Sequence, residues 1–384
     1  MIIEIFIVFS SALYAILHFV IIINLFNKLF IQSFAREDNR TPCKFSIIIA
    51  AKNEAKNLGK LIFALSKLNY PEDDYEVIIV ADNSTDYTYE TAHQLISGLN
   101  NFSVVKAERK RFEGKRGALD YGISLAQHPN ILITDADCIP EENWLKSIAE
   151  KLLSGCDFVF GITPFVQGKD IVNKISCYEN FRNSVLAISA AYLGLPYTAS
   201  ARNLGFKKSA FTKIGGYKNT LETISGDDDL LLREAIKNKL KICPMTEMGS
   251  FVFSETKKTF KEYFSQRARH TQTSFYYPLK QKMLLAVWHT LNIAFVLSPL
   301  LILINKFFII PFILKLLLDI ITAFLFQKKF GKYDYNLHHI IKSLAYFQDA
   351  ESDEMPRMYT DVQWKVVKTF FENEKYKLAN KFLS

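Results

Sequence analysis

Three apolar runs constrain this chain more than any other feature, because a helix of about 20 residues with few charges must be enclosed by lipid or by a large core. Residues 5–26 are nearly continuous Ile, Leu, Val, Phe and Ala, interrupted only by small or weakly polar residues and His18. At about 1.5 Å per residue such a helix crosses the ~30 Å of hydrocarbon in a bilayer. A cleaved leader opens on basic residues and ends at a small-residue cleavage site, whereas this run follows Glu4 and ends in Asn27-Lys28-Leu29-Phe30, so it reads as an uncleaved anchor. Residues 283–304 and 307–326 form two more runs, separated by Asn305-Lys306. So short a connection predicts a hairpin of antiparallel helices. Within the last run Lys315 and Asp319 stand one helical turn apart, which predicts an ion pair satisfied against the neighbouring helix. These runs account for a hydrophobic content of 49% and for 32 Phe, rich for a wholly soluble chain.

Lys28, Arg36, Arg40 and Lys44 follow the first run, Lys280 and Lys282 precede the second, and Lys328, Lys329 and Lys332 follow the third. All three clusters fall on one side if the N-terminus lies outside, and the positive-inside rule makes that side cytoplasmic. The expected organisation is a multi-pass cell-membrane protein: a transmembrane anchor over 1–30, a cytoplasmic domain over 44–275, a transmembrane hairpin over 283–326 and a cytoplasmic tail over 327–384. The tail has helical spacing at 336–347 and 362–382. The formal charge of +8 is dispersed and comes with no nucleic-acid recognition module, so anionic membrane lipids, and no nucleic acid, are the expected partners. The five cysteines, Cys43, Cys138, Cys156, Cys177 and Cys243, are odd in number, widely spaced and without a Cys-x-x-Cys pair. They read as buried or free thiols in a reducing compartment, not as a zinc site or disulfide framework.

Between the membrane runs the chain alternates. Strand patterns at 45–50, 75–80, 102–105 and 131–134 are separated by helical spacing at 55–68, 88–98 and 117–126. That order predicts an α/β fold with a largely parallel sheet and helices on both faces, whose ligands bind beyond the carboxyl ends of the strands. Ala51-Lys52-Asn53-Glu54 stands at the first strand end and Ala81-Asp82-Asn83-Ser84-Thr85-Asp86 at the second. Asp86 is placed to cap the next helix, whereas Asp82 has no such duty and can accept from a base N–H or a ribose hydroxyl. The run Thr134-Asp135-Ala136-Asp137 ends the strand at 131–134. Carboxylates at i and i+2 share a side and repel unless a cation intervenes, and hard divalent cations take carboxylate and phosphate oxygens together. Gly226-Asp227-Asp228-Asp229 opens helical spacing at 230–237. Acids there favour the helix dipole, but three exceed what a cap needs, and crowding raises at least one pKa toward that of a useful base.

These runs, with Gly114-Lys115-Arg116-Gly117-Ala118-Leu119, Arg202-Asn203-Leu204-Gly205-Phe206, Ile214-Gly215-Gly216-Tyr217 and Ser225-Gly226-Asp227-Asp228-Asp229-Leu230, resemble glycosyltransferase family 2 over residues 44–270, in the family's order. The resemblance implies a GT-A type nucleotide-sugar-binding domain and inverting transfer with Mg²⁺ or Mn²⁺ from a nucleotide-sugar donor, taken to be UDP-linked. It implies that Glu54 and Asp82 hold the nucleoside, that Lys115 lies near the donor, and that Asp135 and Asp137 form the Asp-x-Asp pair, with Asp137 the direct metal ligand. It places the catalytic base at Asp228, with Asp227 as the neighbour that competes for the role and otherwise belongs to the acceptor side. Gln266-Arg267-Ala268-Arg269-His270 resembles the Gln-x-x-Arg-Trp element of membrane-embedded polysaccharide synthases in the family, which puts Gln266, Arg269 and His270 in the acceptor or product region. His270 stands where those enzymes carry Trp and stacks less well on a sugar, so single addition of a hexosyl or N-acetylhexosaminyl group is expected over polymer synthesis. The acceptor implied is lipid-linked or a glycan at the cytoplasmic face, as in making cell-envelope polysaccharide. A processive synthase, a nucleotidyltransferase and a non-catalytic membrane scaffold are the competing readings. No Gly-rich basic loop follows the first strand to bind a triphosphate, and the acidic positions are intact.

Overall fold

The computed structural model of the chain describes residues 2–31, 43–223 and 226–331. In the interior of its main sheet is Phe45–Ala51 (β1), where three successive isoleucines are fully buried. A strand covered by helices on both faces needs apolar side chains in both directions, so polar alternation is missing there. Ile47 and Ile49 pack with Leu58, Leu61 and Leu65 of Leu58–Ser66 (α2), while Ile48 joins the layer on the opposite face. Tyr75–Ala81 (β2) lies parallel to β1, and after Thr88–Leu95 (α3) Phe102–Lys106 (β3) lies parallel to β2. Gly114–Leu125 (α4) then leads to Asn130–Asp135 (β4), which pairs parallel with β1 on its other side. The approach of α4 to the sheet is close enough that a Cβ at Gly122 would stand 2.5 Å from Ile48 Cγ2.

The chain continues through Cys138–Pro140 (β5), Trp144–Leu153 (α5), Phe158–Gly161 (β6) and Ile171–Tyr192 (α6). Leu204–Lys207 (β7), Lys208–Lys213 (α7), Asp227–Lys237 (α8), Ile242–Met245 (β8) and Val252–Ser254 (β9) follow. Seven strands form one sheet in the order β3-β2-β1-β4-β7-β6-β8, and β5 and β9 make a separate antiparallel pair. The main sheet is largely parallel, as the sequence predicts, but β7 runs antiparallel to both neighbours.

Contrary to what their spacing suggests, the cysteines are not all free thiols. Cys156 and Cys243 are joined in a disulfide, with Cα atoms 6.0 Å apart, and only Cys43, Cys138 and Cys177 are free thiols. The two halves lie 87 residues apart in sequence, yet β6 and β8 are parallel neighbours with Val159 opposite Cys243. Strand pairing closes a distance that spacing along the chain conceals, and the argument from free thiols to a reducing compartment falls with it.

Among the described residues, three helices are long and apolar enough to cross a membrane: Ile2–Phe26 (α1), extended by a short π-helical turn, and, after Phe260–Ser274 (α9), Leu279–Leu297 (α10) and Ile309–Gly331 (α11). Asn305 caps the turn between the last two by accepting from Phe307 N at 2.9 Å. Lys315 and Asp319 do pair, at 2.6 Å, and the pair is satisfied by neighbours on other helices. Lys315 Nζ donates to Asn292 Oδ1 of α10 at 3.0 Å, and His18 Nε2 of α1 lies 3.6 Å from Asp319 Oδ1. Tyr14 and Arg182 also donate to Asn292 Oδ1, so α1, α6, α10 and α11 meet around one polar node. Removing one partner from such a node would leave a charge uncompensated among apolar helices, which fixes their packing. Phe181 and Val185 of α6 share an apolar cluster with Leu25, Leu29, Phe326 and Phe330, so the sheet unit and these long helices have a continuous core. Arg36, Arg40, Ser225, Lys332 and the helical spacing at 336–347 and 362–382 lie outside the described residues.

Candidate active site

The loops after β1 and β2 are sewn together by two asparagines in left-handed conformation, Asn53 (φ 60) and Asn83 (φ 47). Asparagine tolerates that region better than most residues because its short amide bonds locally. Asn53 Oδ1 accepts from Thr85 N at 2.8 Å, and Ser84 Oγ accepts from Asn53 N at 3.1 Å. Asp86 is a structural cap, accepting from Thr88 N at 3.0 Å and Ala55 N at 3.3 Å. Its hydrogen bonds, the Thr88 hydroxyl first, hold its carboxyl below the ordinary value. Thr88 Oγ1 in turn accepts from Glu54 N at 2.8 Å and so fixes the start of the Glu54 turn. Burial pushes the Glu54 carboxyl up, with Asp137 and Asp135 adding to it and a 2.6 Å bond from Asn57 opposing. Asp82 is buried and ion-paired with Lys110 from the loop after β3. That loop is held down by Arg111, which donates twice to buried Asp120 at 2.7 Å.

At the end of β4, Asp135 accepts from Lys115 Nζ at 2.6 Å. Helix α4 starts at Gly114, three residues earlier than its apolar spacing suggests, which places Lys115 in its first turn. Burial works against the Asp135 carboxylate, but Lys115 and then Arg202 outweigh it and leave the group below its usual value. The Asp135, Asp137 and Cys138 ligand atoms lie within 4.8 Å of one another. Burial raises the Cys138 thiol well above its ordinary range, so it stays protonated and is a poor ligand. Two carboxylates this close together are a donor set suited to a hard divalent cation that also takes phosphate oxygens. Asp227, buried, brings a third carboxylate, its Oδ2 4.0 Å from Lys115 Nζ and without a hydrogen-bond partner. These residues fit the cation that the sequence implies.

The three acids that open α8 have three different surroundings. Asp227 faces Lys115. Asp229 is buried and accepts from Thr198 Oγ1 at 2.7 Å, Ala199 N at 3.2 Å and Tyr277 OH at 2.9 Å. Burial, and then the neighbouring Asp228, push its carboxyl up to about 8. Asp228 is half-buried, with Oδ2 accepting from Ala201 N at 2.8 Å and Oδ1 from Asp229 N at 2.9 Å. The helix can start here because Gly226 adopts φ +81 and has no room for a side chain: a Cβ would stand 2.4 Å from Thr273 Oγ1 of α9.

Asp228 lines a cavity of about 570 Å³ that also touches Glu179, Arg202, Gln266, His270 and, at the start of a membrane-length helix, Lys282. Gln266, Arg267 and His270 face this cavity, whereas Arg269 is exposed and does not. Arg267 is balanced by Glu179 at 2.8 Å. Desolvation at the cavity wall, then Arg267, Arg202, Arg269 and Lys115, push the His270 imidazole down to about 4, so it is neutral near pH 7. The structure thus gathers Lys115, Asp135, Asp137, Asp227 and Asp228 into one region, with Glu54 beside the aspartate pair and Asp82 deeper under Lys110.

Sequence reasoning gave no role to Lys110 or Arg202. Arg202 donates to Ser254 and to Ser200 Oγ at 3.2 Å, stacks 4.8 Å from the Phe165 ring, and its carbonyl accepts from Thr134 Oγ1 at 2.9 Å. Its place in the quoted Arg202-Asn203-Leu204-Gly205-Phe206 run was the available signal.

Residues 46–214 match the profile of the family described as glycosyl transferase family 2. The chain carries a glycosyltransferase family 2 domain. Among curated relatives, glycosyltransferase AglE of Haloferax volcanii is 28% identical over 186 residues, covering 48% of this chain and 58% of AglE. The beta-monoglucosyldiacylglycerol synthase of Synechocystis sp. is 35% identical over 194 residues, covering 49% of this chain and 39% of that enzyme. The chain thus spans little more than half the length of the one relative and well under half of the other. The solved mannosyltransferase PcManGT from Pyrobaculum calidifontis, in complex with GDP-Man and Mn²⁺, superposes with a TM-score of 0.51 at 16% identity, over 96% of this chain and 97% of that one. At that identity the likeness speaks for the fold alone, a GT-A architecture.

Proposed function

We propose that this chain, with residues 44–275 as its catalytic unit, is a membrane-bound inverting glycosyltransferase that moves one sugar from a UDP-linked donor to a lipid-linked acceptor at the cytoplasmic face. The observation that carries the reading is the cavity running from Asp228, beside the acidic strand ends, to Lys282 and His289 of membrane-length α10. A soluble acceptor needs no such path, whereas a lipid-linked one does. The relatives' names, a glycolipid synthase among them, point the same way.

Glu54 and Asp82 accept from the nucleoside, and Lys115 lies near the donor's diphosphate. Asp135 and Asp137 would hold Mg²⁺ or Mn²⁺, which when bound neutralises charge on the departing nucleoside diphosphate. Asp228 takes the proton of the acceptor hydroxyl, its carboxylate oriented by the two backbone N–H groups that it accepts. Asp229 stays out of the chemistry and locks the helix start to Tyr277. Gln266 and His270 border the acceptor, and no flat Trp face is supplied there, which suits single addition.

The cytoplasmic side is argued from the basic flanks of the spans. The disulfide argues for the other side, since such bonds persist in oxidising compartments. The test of function is release of nucleoside diphosphate by the detergent-solubilised protein from a panel of UDP- and GDP-sugars with lipid extract and Mn²⁺. Release with one donor, labelling the lipid fraction, is expected. Turnover with no donor, or release of pyrophosphate, would refute the reading.

A further inference from the structure

The cavity at Asp228 has two kinds of polar wall. Some of its side chains are spent: Asn180 donates to Thr163 O at 3.0 Å, and Thr271 and Ser274 donate to carbonyls of their own helix at 2.9 and 2.7 Å. Asn183 and Ser184 of α6, Gln266 and His270 of α9 and His289 of α10 line the same space, and among the described residues no hydrogen-bond partner meets their side chains. They come from three helices and reach from the acidic centre to His289, about 15 Å along membrane-length α10. A bare lipid alcohol would bring one hydroxyl to Asp228 and lay hydrocarbon on the remaining amides and imidazoles, leaving each without a partner away from water.

The chemistry of these groups selects the ligand. Amide, hydroxyl and neutral imidazole each present donors and acceptors, and so does every hydroxyl of a sugar, whereas phosphate oxygens at neutral pH chiefly accept. His270 is of this kind, because its lowered pKa keeps it neutral near pH 7. A phosphate would also face two carboxylates in the same space, Asp228 and Glu179, while Arg267 is matched by Glu179 at 2.8 Å and Lys282 donates to the Phe275 carbonyl at 3.1 Å. The volume, about 570 Å³, lies in the range of sites that enclose a whole small molecule, roughly 300–1,000 Å³. We infer that the acceptor is a glycolipid whose neutral terminal sugar is held by Asn183, Ser184, Gln266, His270 and His289, so that this chain adds a second or later sugar. The inference rests on the transferase reading and narrows its acceptor. One hydroxyl oxygen of that sugar attacks the anomeric carbon of the donor and its proton passes to Asp228. The bond from that carbon to the diphosphate oxygen breaks, and the nucleoside diphosphate leaves with the electron pair. The substrate must therefore be supplied by a reaction that transfers a first sugar onto the lipid itself.

The test uses the full chain in a sugar-free detergent, with the donor it turns over, and reads nucleoside diphosphate release. Decyl glycosides of glucose, galactose, mannose and N-acetylglucosamine are compared with dioleoylglycerol and farnesyl phosphate as acceptors. At least one decyl glycoside should stimulate release on the order of tenfold over both sugar-free lipids. N183L and Q266L should each raise acceptor KM about tenfold, the loss of one hydrogen bond, with donor KM little moved, a split that a merely structural change would not give. Q272L, on α9 but outside the cavity, should behave as wild type. Release stimulated as strongly by dioleoylglycerol or farnesyl phosphate as by any decyl glycoside, or an unchanged acceptor KM in both variants, would overturn the inference and leave the transferase reading standing. If no donor turns over, saturation-transfer NMR with the decyl glycosides and no donor decides. Saturation of the sugar-ring protons that is lost in N183L/Q266L supports the sugar site, and saturation confined to the decyl chain, or unchanged in the double variant, refutes it.

Discussion

Replacing Asp228 by Asn separates the roles of the three acids at the start of α8. Both Asp228 oxygens accept a backbone N–H, from Ala201 at 2.8 Å and Asp229 at 2.9 Å. An amide can accept only one of them and turns its NH₂ toward the other donor. One lost charge-assisted bond and one confronted donor should cost about 1–3 kcal/mol of stability, lowering Tm by a few degrees without unfolding the chain. The chemical loss should be larger: removing a general base slows the step by about 10²–10⁴-fold, or about 3–5 kcal/mol of barrier. The effect should fall on kcat, because the acidic donor site around Lys115 and Asp135 is untouched. Asp227→Asn gives the contrast. Asp227 faces Lys115 at 4.0 Å and not the acceptor cavity, so its loss should act mainly on donor KM. Steady-state release of nucleoside diphosphate, with donor and acceptor varied separately, reads both. A D228N protein within about threefold of wild-type kcat, alongside a D227N protein without turnover, would show that the base was assigned to the wrong neighbour.

The remaining predictions concern the cation, the buried acid and the orientation. Asp137→Ala should weaken activation by Mn²⁺ on the order of a hundredfold, seen as a shifted Mn²⁺ titration of turnover, and treating wild-type protein with a chelator should abolish release reversibly. Asp229 holds a proton up to about 8 in the folded chain but only to ~4 when unfolded. Its contribution to stability is therefore full below pH ~4 and is lost as pH rises through about 8. Because Asn does not ionise, the Tm of D229N relative to wild type should rise from pH 5 to pH 9, and a flat difference would contradict the buried, proton-holding state. For orientation, a cysteine at Asn305 should react with an impermeant maleimide in intact cells while one at Lys257 should not; the reverse pattern would put the catalytic unit outside, where the Cys156–Cys243 disulfide would be at home.

What was legible in the sequence was local. The buried strands showed as unbroken apolar runs because both faces of the sheet are covered, and the three membrane-length helices showed by length and composition. The capping duty of Asp86 and the Lys315–Asp319 pair followed from spacing within one turn. What was hidden depends on contacts between distant segments. The Cys156–Cys243 bond forms through the pairing of β6 with β8, and Lys110 reaches Asp82 only because β3 lies beside β2. Arg202 joins the site through β7, whose reversed direction no local pattern announces. The separate fates of Asp227, Asp228 and Asp229 were equally out of reach, since they are set by Lys115, the loop at 199–201 and Tyr277.

The most direct test of the central claim is a product analysis with purified protein, one radiolabelled nucleotide sugar and membrane lipid extract. The account predicts that label moves into the organic phase as a single sugar per lipid, with anomeric configuration inverted relative to the donor, and that D228N forms it on the order of a hundredfold or more slowly. Label appearing in water-soluble polymer, or a product that retains the donor's configuration, would contradict it.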